Sequence, residues 1–387
     1  HPAGWRGHER NDLMAQFSLK DHLFNASSLR DFANEMSTGI PGFDADAYHR
    51  DTLAGFGDRA LLERLDWMAD CLEPYLPKDF NEMASQLEAA MPPPLDPQHT
   101  DDDFGRFIHA VPGILAVRHG LEHHHDRALD LLHAATQRFS MEFYIRPFLN
   151  MWPEETLRRL AVWARDDNYH VRRLVSEGTR PKLPWAKAVS IEPEKVLPLL
   201  DILHADNTRY VTRSVSNHLN DIAKTDSDLV MDRLEKWAGD RRQDQTELAW
   251  MTRHALRVLI KQGNARALGV MGFDPQAQVD VVLHLEDACV HVGDNLTFDV
   301  TIAARNETPV LIDYVIRFLK SSGQHAPKVF KLKQAVLQTG QPLTFRKNHR
   351  FKGDATTFRL YPGTHYIGVQ VNGILTQEAA FTLLPPA

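Results

Sequence analysis

The chain has 387 residues, 43% of them hydrophobic and 25% charged, with 44 basic against 51 acidic side chains. That length supports two or three domains with separate cores, and a net charge of −7 makes any nucleic-acid surface local rather than global. Two cysteines, Cys71 and Cys289, are too few for a disulfide framework or a cysteine zinc site, and they fit a reducing compartment.

No apolar run approaches the roughly 18 residues of a membrane span, so a cytoplasmic protein acting away from membranes, as a monomer, is expected. "HPAGWRGHERNDL" (1–13) lacks the apolar centre of a signal peptide and is expected to be a disordered leader or an appended remnant. Residues 14–271 read as helices: "RALLERLDWMADCLEPYL" and "PEETLRRLAVWARD" place apolar residues three and four apart, with Pro147, Pro153, Pro181, Pro184 and Pro193 as punctuation. "GFDPQAQ" (272–278) is the expected linker. Over 279–387 the period changes to two, in "VDVVLHLE", "LTFDVTIAARN", "VLIDYVIRFL", "LTFRKNHRF" and "THYIGVQV", as in an immunoglobulin-like β-sandwich. The expected fold is therefore multi-domain, α then β.

The helical part repeats. Arg173 and Glu177 stand four apart; Arg213 and Asn217 follow 40 residues on, and Arg253 and Arg257 another 40 on, each with apolar partners on the opposite stripe. Arg138 and Glu142 give the same spacing upstream. A period near 40 holding helix pairs marks a HEAT-like α-solenoid, and stacking aligns the polar positions into one arginine-bearing groove. Arginines so spaced suit successive phosphates, and Arg172, Arg180 and Lys182 add charge beside the second rung. The plain alternative is a set of i,i+4 surface ion pairs, each worth about 0.3–0.5 kcal/mol. Glu177 argues against it, because a carboxylate at a helix C-terminus costs roughly 0.3–1 kcal/mol against the helix dipole.

"FSMEFYIRPFL" (139–149), "WARDDNYHVRRLVSEGTRPKLPW" (163–185) and "SVSNHLNDIAK" (214–224) resemble the AlkC-type DNA alkylation repair glycosylases of the HEAT-like repeat superfamily. The similarity extends through the helical part, and the sandwich resembles the subgroup with an immunoglobulin-like domain. The resemblance implies a base-excision repair glycosylase that removes cationic bases such as 3-methyladenine and 3-methylcytosine from double-stranded alkylated DNA. It also implies that the base is not extruded into a tight pocket, unlike in most glycosylases. Such a base already leaves well, so the growing positive charge on the sugar is what a fixed carboxylate must stabilise. Glu142 and Glu177 are the expected catalytic residues, with Asp221 third. Arg138, Arg173, Arg180, Lys182, Trp185, Arg213 and Lys224 are the expected DNA contacts of the groove, while Trp163, on an apolar stripe, is expected in the core. No lysine is placed for a Schiff base, so hydrolysis without strand cleavage and without a cofactor is expected.

Between Arg317 and Arg359 ten basic residues face one acidic residue, Asp354, and Arg346, Lys347 and Arg350 are expected to grip the DNA backbone. "HGLEHHHDR" puts His119 and His123 four apart near Glu122 and Asp126, which suggests zinc. Three consecutive histidines project in different directions, however, so a polar helix face and no metal is expected. Two rival readings are a non-catalytic HEAT scaffold with a partner-binding sandwich and a metal-dependent hydrolase built on those histidines.

Overall fold

The computed structural model describes residues 19–99, 103–353 and 359–386; the expected leader, 1–13, and Asp354 lie outside them. The helices are α1 (Leu19–Leu23), α2 (Ala26–Gly39), α3 (Ala45–Ala54), α4 (Leu61–Leu72), α5 (Phe80–Ala90), α6 (Val111–Leu115), α7 (His125–Thr136) and α8 (Glu142–Met151). They continue as α9 (Pro153–Trp163), α10 (Tyr169–Gly178), α11 (Pro193–Leu203), α12 (Arg209–Ile222), α13 (Ser227–Asp240), α14 (Gln245–Ala255), α15 (Arg257–Lys261) and α16 (Ala265–Val270). None of the described helices is long and apolar enough to cross a membrane.

Local chemistry sets the helix starts. Pro153 and Pro193 occupy the first positions of α9 and α11, where a missing N–H costs nothing. Asn168 caps α10 by accepting from the His170 amide at 2.9 Å. Pro147, expected as a break, lies inside α8 instead. α10 packs between α8 and α12, and a Cβ on Gly178 would lie 2.5 Å from Ile145 Cγ2, so only glycine lets α8 approach so closely. Being flanked on several sides, α10 buries Ser176 and Glu177 as well as Val171, Leu174 and Val175. Its polar row is therefore mostly interior. Trp163 is in the core at 4% exposure, its ring 5.3 Å from His133.

Two compact units divide the chain. One runs to Ile222 and includes Glu235–His254; the other takes Ala223–Leu234 and everything from Ala255. The expected boundary at 272–278 does carry neither helix nor strand, but it is not a loose tether. Phe273 packs against Leu268 and Leu311, and the Asn372 side-chain amide donates to the Asp274 carbonyl at 2.8 Å while its Oδ1 accepts from the Leu311 amide at 2.8 Å.

The strands are β1 (Val279–Leu285), β2 (Cys289–His291), β3 (Asn295–Ala304), β4 (Thr308–Leu319), β5 (His325–Leu337), β6 (Leu343–Arg350), β7 (Gly363–Val371) and β8 (Ile374–Leu384). They form sheets in the order β1-β3-β6 and β2-β8-β7-β4-β5. Burial alternates along β3, and Phe298, Val300 and Ile302 meet Ile316 and Ile367 in a closed apolar core.

Candidate active site and nucleic-acid interface

Arg173 and Glu177 stand one turn apart on α10, and Arg213 and Asn217 do the same on α12. The outer rungs of the expected row do not hold. Arg138 lies in the turn between α7 and α8, and Arg257 begins α15 after α14 has ended. Residue spacing fixes a helix face but not where a helix stops. The Arg138 guanidinium donates to the Pro92 and Ala134 carbonyls at 2.8 and 2.9 Å, which braces the turn it sits in. Arg172 is likewise committed, to Asp206 at 2.6 Å.

What converges is a chain of charges alternating in sign. Glu142 Oε2 accepts from Ser140 Oγ at 2.7 Å and from Arg173 Nη1 at 2.6 Å. Arg173 Nη2 lies 3.6 Å from Glu177 Oε1, whose nearer partner is Arg180 Nη1 at 2.7 Å. Ser214 Oγ donates to Glu177 Oε2 at 2.6 Å. Arg180 Nε and Nη2 then reach Asp221 Oδ2 at 2.9 and 2.8 Å. Tyr210 lies under the Arg173 guanidinium, 4.7 Å from ring centroid to Cζ. Glu142, Glu177 and Asp221, drawn from three helices, thus share two arginines.

Their exposures differ, and the difference assigns their places. The Glu142 side chain is 20% exposed, that of Asp221 11% and that of Glu177 7%. Glu142 lines a cavity of about 560 Å³ whose walls include Phe104, Phe107, Phe139 and Tyr210. Both donors to Glu142 meet Oε2, and among the described residues Oε1 accepts no hydrogen bond. Glu177, expected beside Glu142 in the open groove, is instead buried one layer behind it. Burial works against its charge, but Arg173, Arg180 and the Ser214 hydroxyl outweigh burial and hold its carboxyl below the usual carboxylate range. Burial likewise opposes the Arg180 charge, and Glu177 with Asp221 raises it again.

A residue that the spacing did not single out explains how a carboxylate is tolerated at the end of α10. Arg146 is fully buried, and its guanidinium donates to the Gly178, Arg180 and Pro181 carbonyls at 3.0, 2.7 and 3.0 Å and also to that of Lys187. It supplies positive charge at the helix C-terminus and fixes the loop carrying Arg180, Lys182 and Trp185. Burial, then the neighbouring Arg180, lowers it to about 10, so it stays protonated at neutral pH. Arg146→Met leaves several buried carbonyls without their donor and should cost at least about 3 kcal/mol in urea unfolding; an unchanged midpoint would show that the loop holds its shape without it. An arginine on the apolar side of "EFYIRPF" was the available signal.

The remaining expected contacts are dispersed. Lys182 and Trp185 are exposed on that loop, Trp185 at 75% with φ +64. Arg213 is half-buried on α12, and Lys224 is exposed in the turn after it, within the second compact unit. Arg346 and Arg350, four apart on β6, share a face, whereas Lys347 has the opposite parity. Arg346 is ion-paired with Glu286. In the histidine run, His119 and His123 are not on one helix. His119 lies 3.3 Å from Glu73, His124 stacks on Phe80 and His125 on Trp152, and among the described residues no three metal-ligating side chains converge.

Fold and site together define a helical protein in which a chain of carboxylates and arginines runs from an aromatic cavity into the core, followed by an immunoglobulin-like sandwich. A family model described as "DNA alkylation repair enzyme" matches residues 137–259, and one for the C-terminal Ig-like domain of the uncharacterised protein YhaZ matches 280–385. YhaZ of Bacillus subtilis (strain 168) is 30% identical over 369 residues, 93% of this chain and 98% of that protein. The Pseudomonas fluorescens alkylpurine DNA glycosylase AlkC, solved bound to DNA containing an abasic site analog, is 34% identical, covering 95% of this chain and 100% of that one, with a TM-score of 0.80. The chain belongs to the AlkC-type DNA alkylation repair family, in the group that carries a C-terminal Ig-like domain.

Proposed function

We propose that the chain is a monofunctional DNA glycosylase that hydrolyses the N-glycosidic bond of 3-methylcytosine and 3-methyladenine in duplex DNA, acting as a monomer, without a cofactor and without a base-flipping pocket. The observation that carries this reading is the partly exposed Glu142 carboxylate, held by Arg173 and Ser140 in the lining of a cavity rich in aromatic rings. As the C1′–N bond breaks, its electron pair leaves with the base, which becomes neutral. Positive charge then develops on the deoxyribose. A preorganised carboxylate stabilises that charge and orients the water that attacks C1′. Glu177 and Asp221 act from behind, fixing Arg173 and Arg180 so that Glu142 does not drift. Lys182, Trp185, Arg213 and Lys224 meet the DNA backbone and Arg346 and Arg350, on one face of β6, extend the grip, whereas Arg173 and Arg180 hold the carboxylates.

The test is incubation with duplexes carrying either lesion, followed by hot alkali. Alkali-labile sites at the lesion, insensitive to EDTA and absent before alkali, are the expected result. No release from either duplex would favour the scaffold reading, and loss of release in EDTA would favour the metal-dependent one.

A further inference from the structure

The cavity beside Glu142 has a charged floor and aromatic walls, and one of those rings is oddly placed. Phe104 is 52% exposed, whereas Tyr210, which it meets edge-on at 5.4 Å between centroids, is 4% exposed. A lone exposed apolar side chain is ordinary on a protein surface, but the backbone directly after this one is closely packed. The next residue, Gly105, has φ +69 and forms an isolated antiparallel bridge with Phe139. A Cβ on Gly105 would lie 1.9 Å from the Arg138 carbonyl oxygen, so the segment requires glycine to sit there. Arg106 then ties the same segment to Asp31 at 2.8 Å. Tyr210 has a ring face covered by Arg173; Phe104 lines the same cavity and is exposed over about half its surface.

We propose that Phe104 is a base-contacting residue of this site, its ring receiving the planar cationic base while Glu142 faces the sugar. The inference rests on the glycosylase reading above. 3-Methylcytosine and 3-methyladenine carry delocalised positive charge, which an aromatic face attracts and a neutral base lacks. Stacking on an exposed ring in the cavity lining also needs no enclosing pocket.

Phe104→Leu and Phe104→Trp in the full chain test the assignment by single-turnover excision of 3-methylcytosine and 3-methyladenine. A second readout is affinity for a duplex with a neutral abasic analogue, which has no base to stack. Leucine should lower excision efficiency on both cationic lesions by about tenfold, tryptophan should restore most of it, and affinity for the abasic duplex should stay within about twofold in both variants. Unchanged excision by the leucine variant overturns the assignment, as does an equal loss of abasic-duplex affinity, which would make Phe104 a backbone contact. If the wild-type chain releases neither base, the glycosylase reading falls and takes this assignment with it; wild-type release that leucine leaves intact removes the assignment alone.

Discussion

Glu142→Gln should lower the single-turnover excision rate by about 10²–10³-fold while leaving affinity for a duplex with a neutral abasic analogue nearly unchanged. Glutamine keeps the size of the side chain and can still accept from Ser140 and Arg173, both of which meet Oε2 at 2.6–2.7 Å. What it lacks is the negative charge, and a cationic base needs little other help to leave. The effect should therefore fall on the maximal rate rather than on half-saturation, as for an interaction made chiefly in the transition state. Thermal stability should fall as well, though less than on losing the side chain, because Arg173 keeps its hydrogen bond but loses the charge of its nearest carboxylate. A rate within about threefold of wild type would remove Glu142 from the chemistry.

Glu177→Ala should behave differently, because its first consequence is structural. The substitution removes the carboxylate between the buried Arg173 and Arg180, leaving each with one, Glu142 and Asp221, and it costs Ser214 its carboxylate acceptor. Breaking a buried pair from one side costs roughly 3–5 kcal/mol, which for a unit of this size lowers the melting temperature by about ten degrees. Excision should fall as well, since Arg173 also positions Glu142. Glu177→Gln retains the Ser214 bond and should recover part of the stability but little of the activity. Calorimetry with excision measured well below the transition separates the two effects. A Glu177→Ala protein as stable as wild type would mean that the arginines are adequately solvated or paired without it.

The repeat period located the central elements and misjudged the outer ones, for one physical reason. Periodicity reports which side of a helix is apolar, and α10 and α12 satisfied it. The helix termini depend on capping and packing, so Arg138 fell into a turn and Arg257 beyond one. The period also invited the assumption that the face opposite the apolar stripe meets solvent. α10 is enclosed by neighbouring helices, so Glu177 is interior and needs Arg146, Arg173 and Arg180 to be there. Contacts such as Arg180 to Asp221 join side chains 41 residues apart, and no local pattern encodes them.

In the sandwich five strands were legible, β1 and β3 by alternation and β4 and β7 by runs of β-branched and aromatic residues, with β6 between the two. β5 was not, because its exposed lysines blur the apolar period. It is the edge of its sheet, where charged residues discourage pairing with another chain. β2 has three residues and β8 begins with five exposed ones, too little for a two-residue period to register.

Affinity for two abasic duplexes, one with a neutral sugar analogue and one with a ring nitrogen that is cationic at neutral pH, probes the charge at the sugar directly. A groove that presents Glu142 to an oxocarbenium-like centre should bind the cationic duplex at least about tenfold more tightly, as expected for a transition-state mimic. Glu142→Gln should erase the preference. Equal affinity of the wild-type chain for both would contradict the account at its centre, whatever the excision assays show.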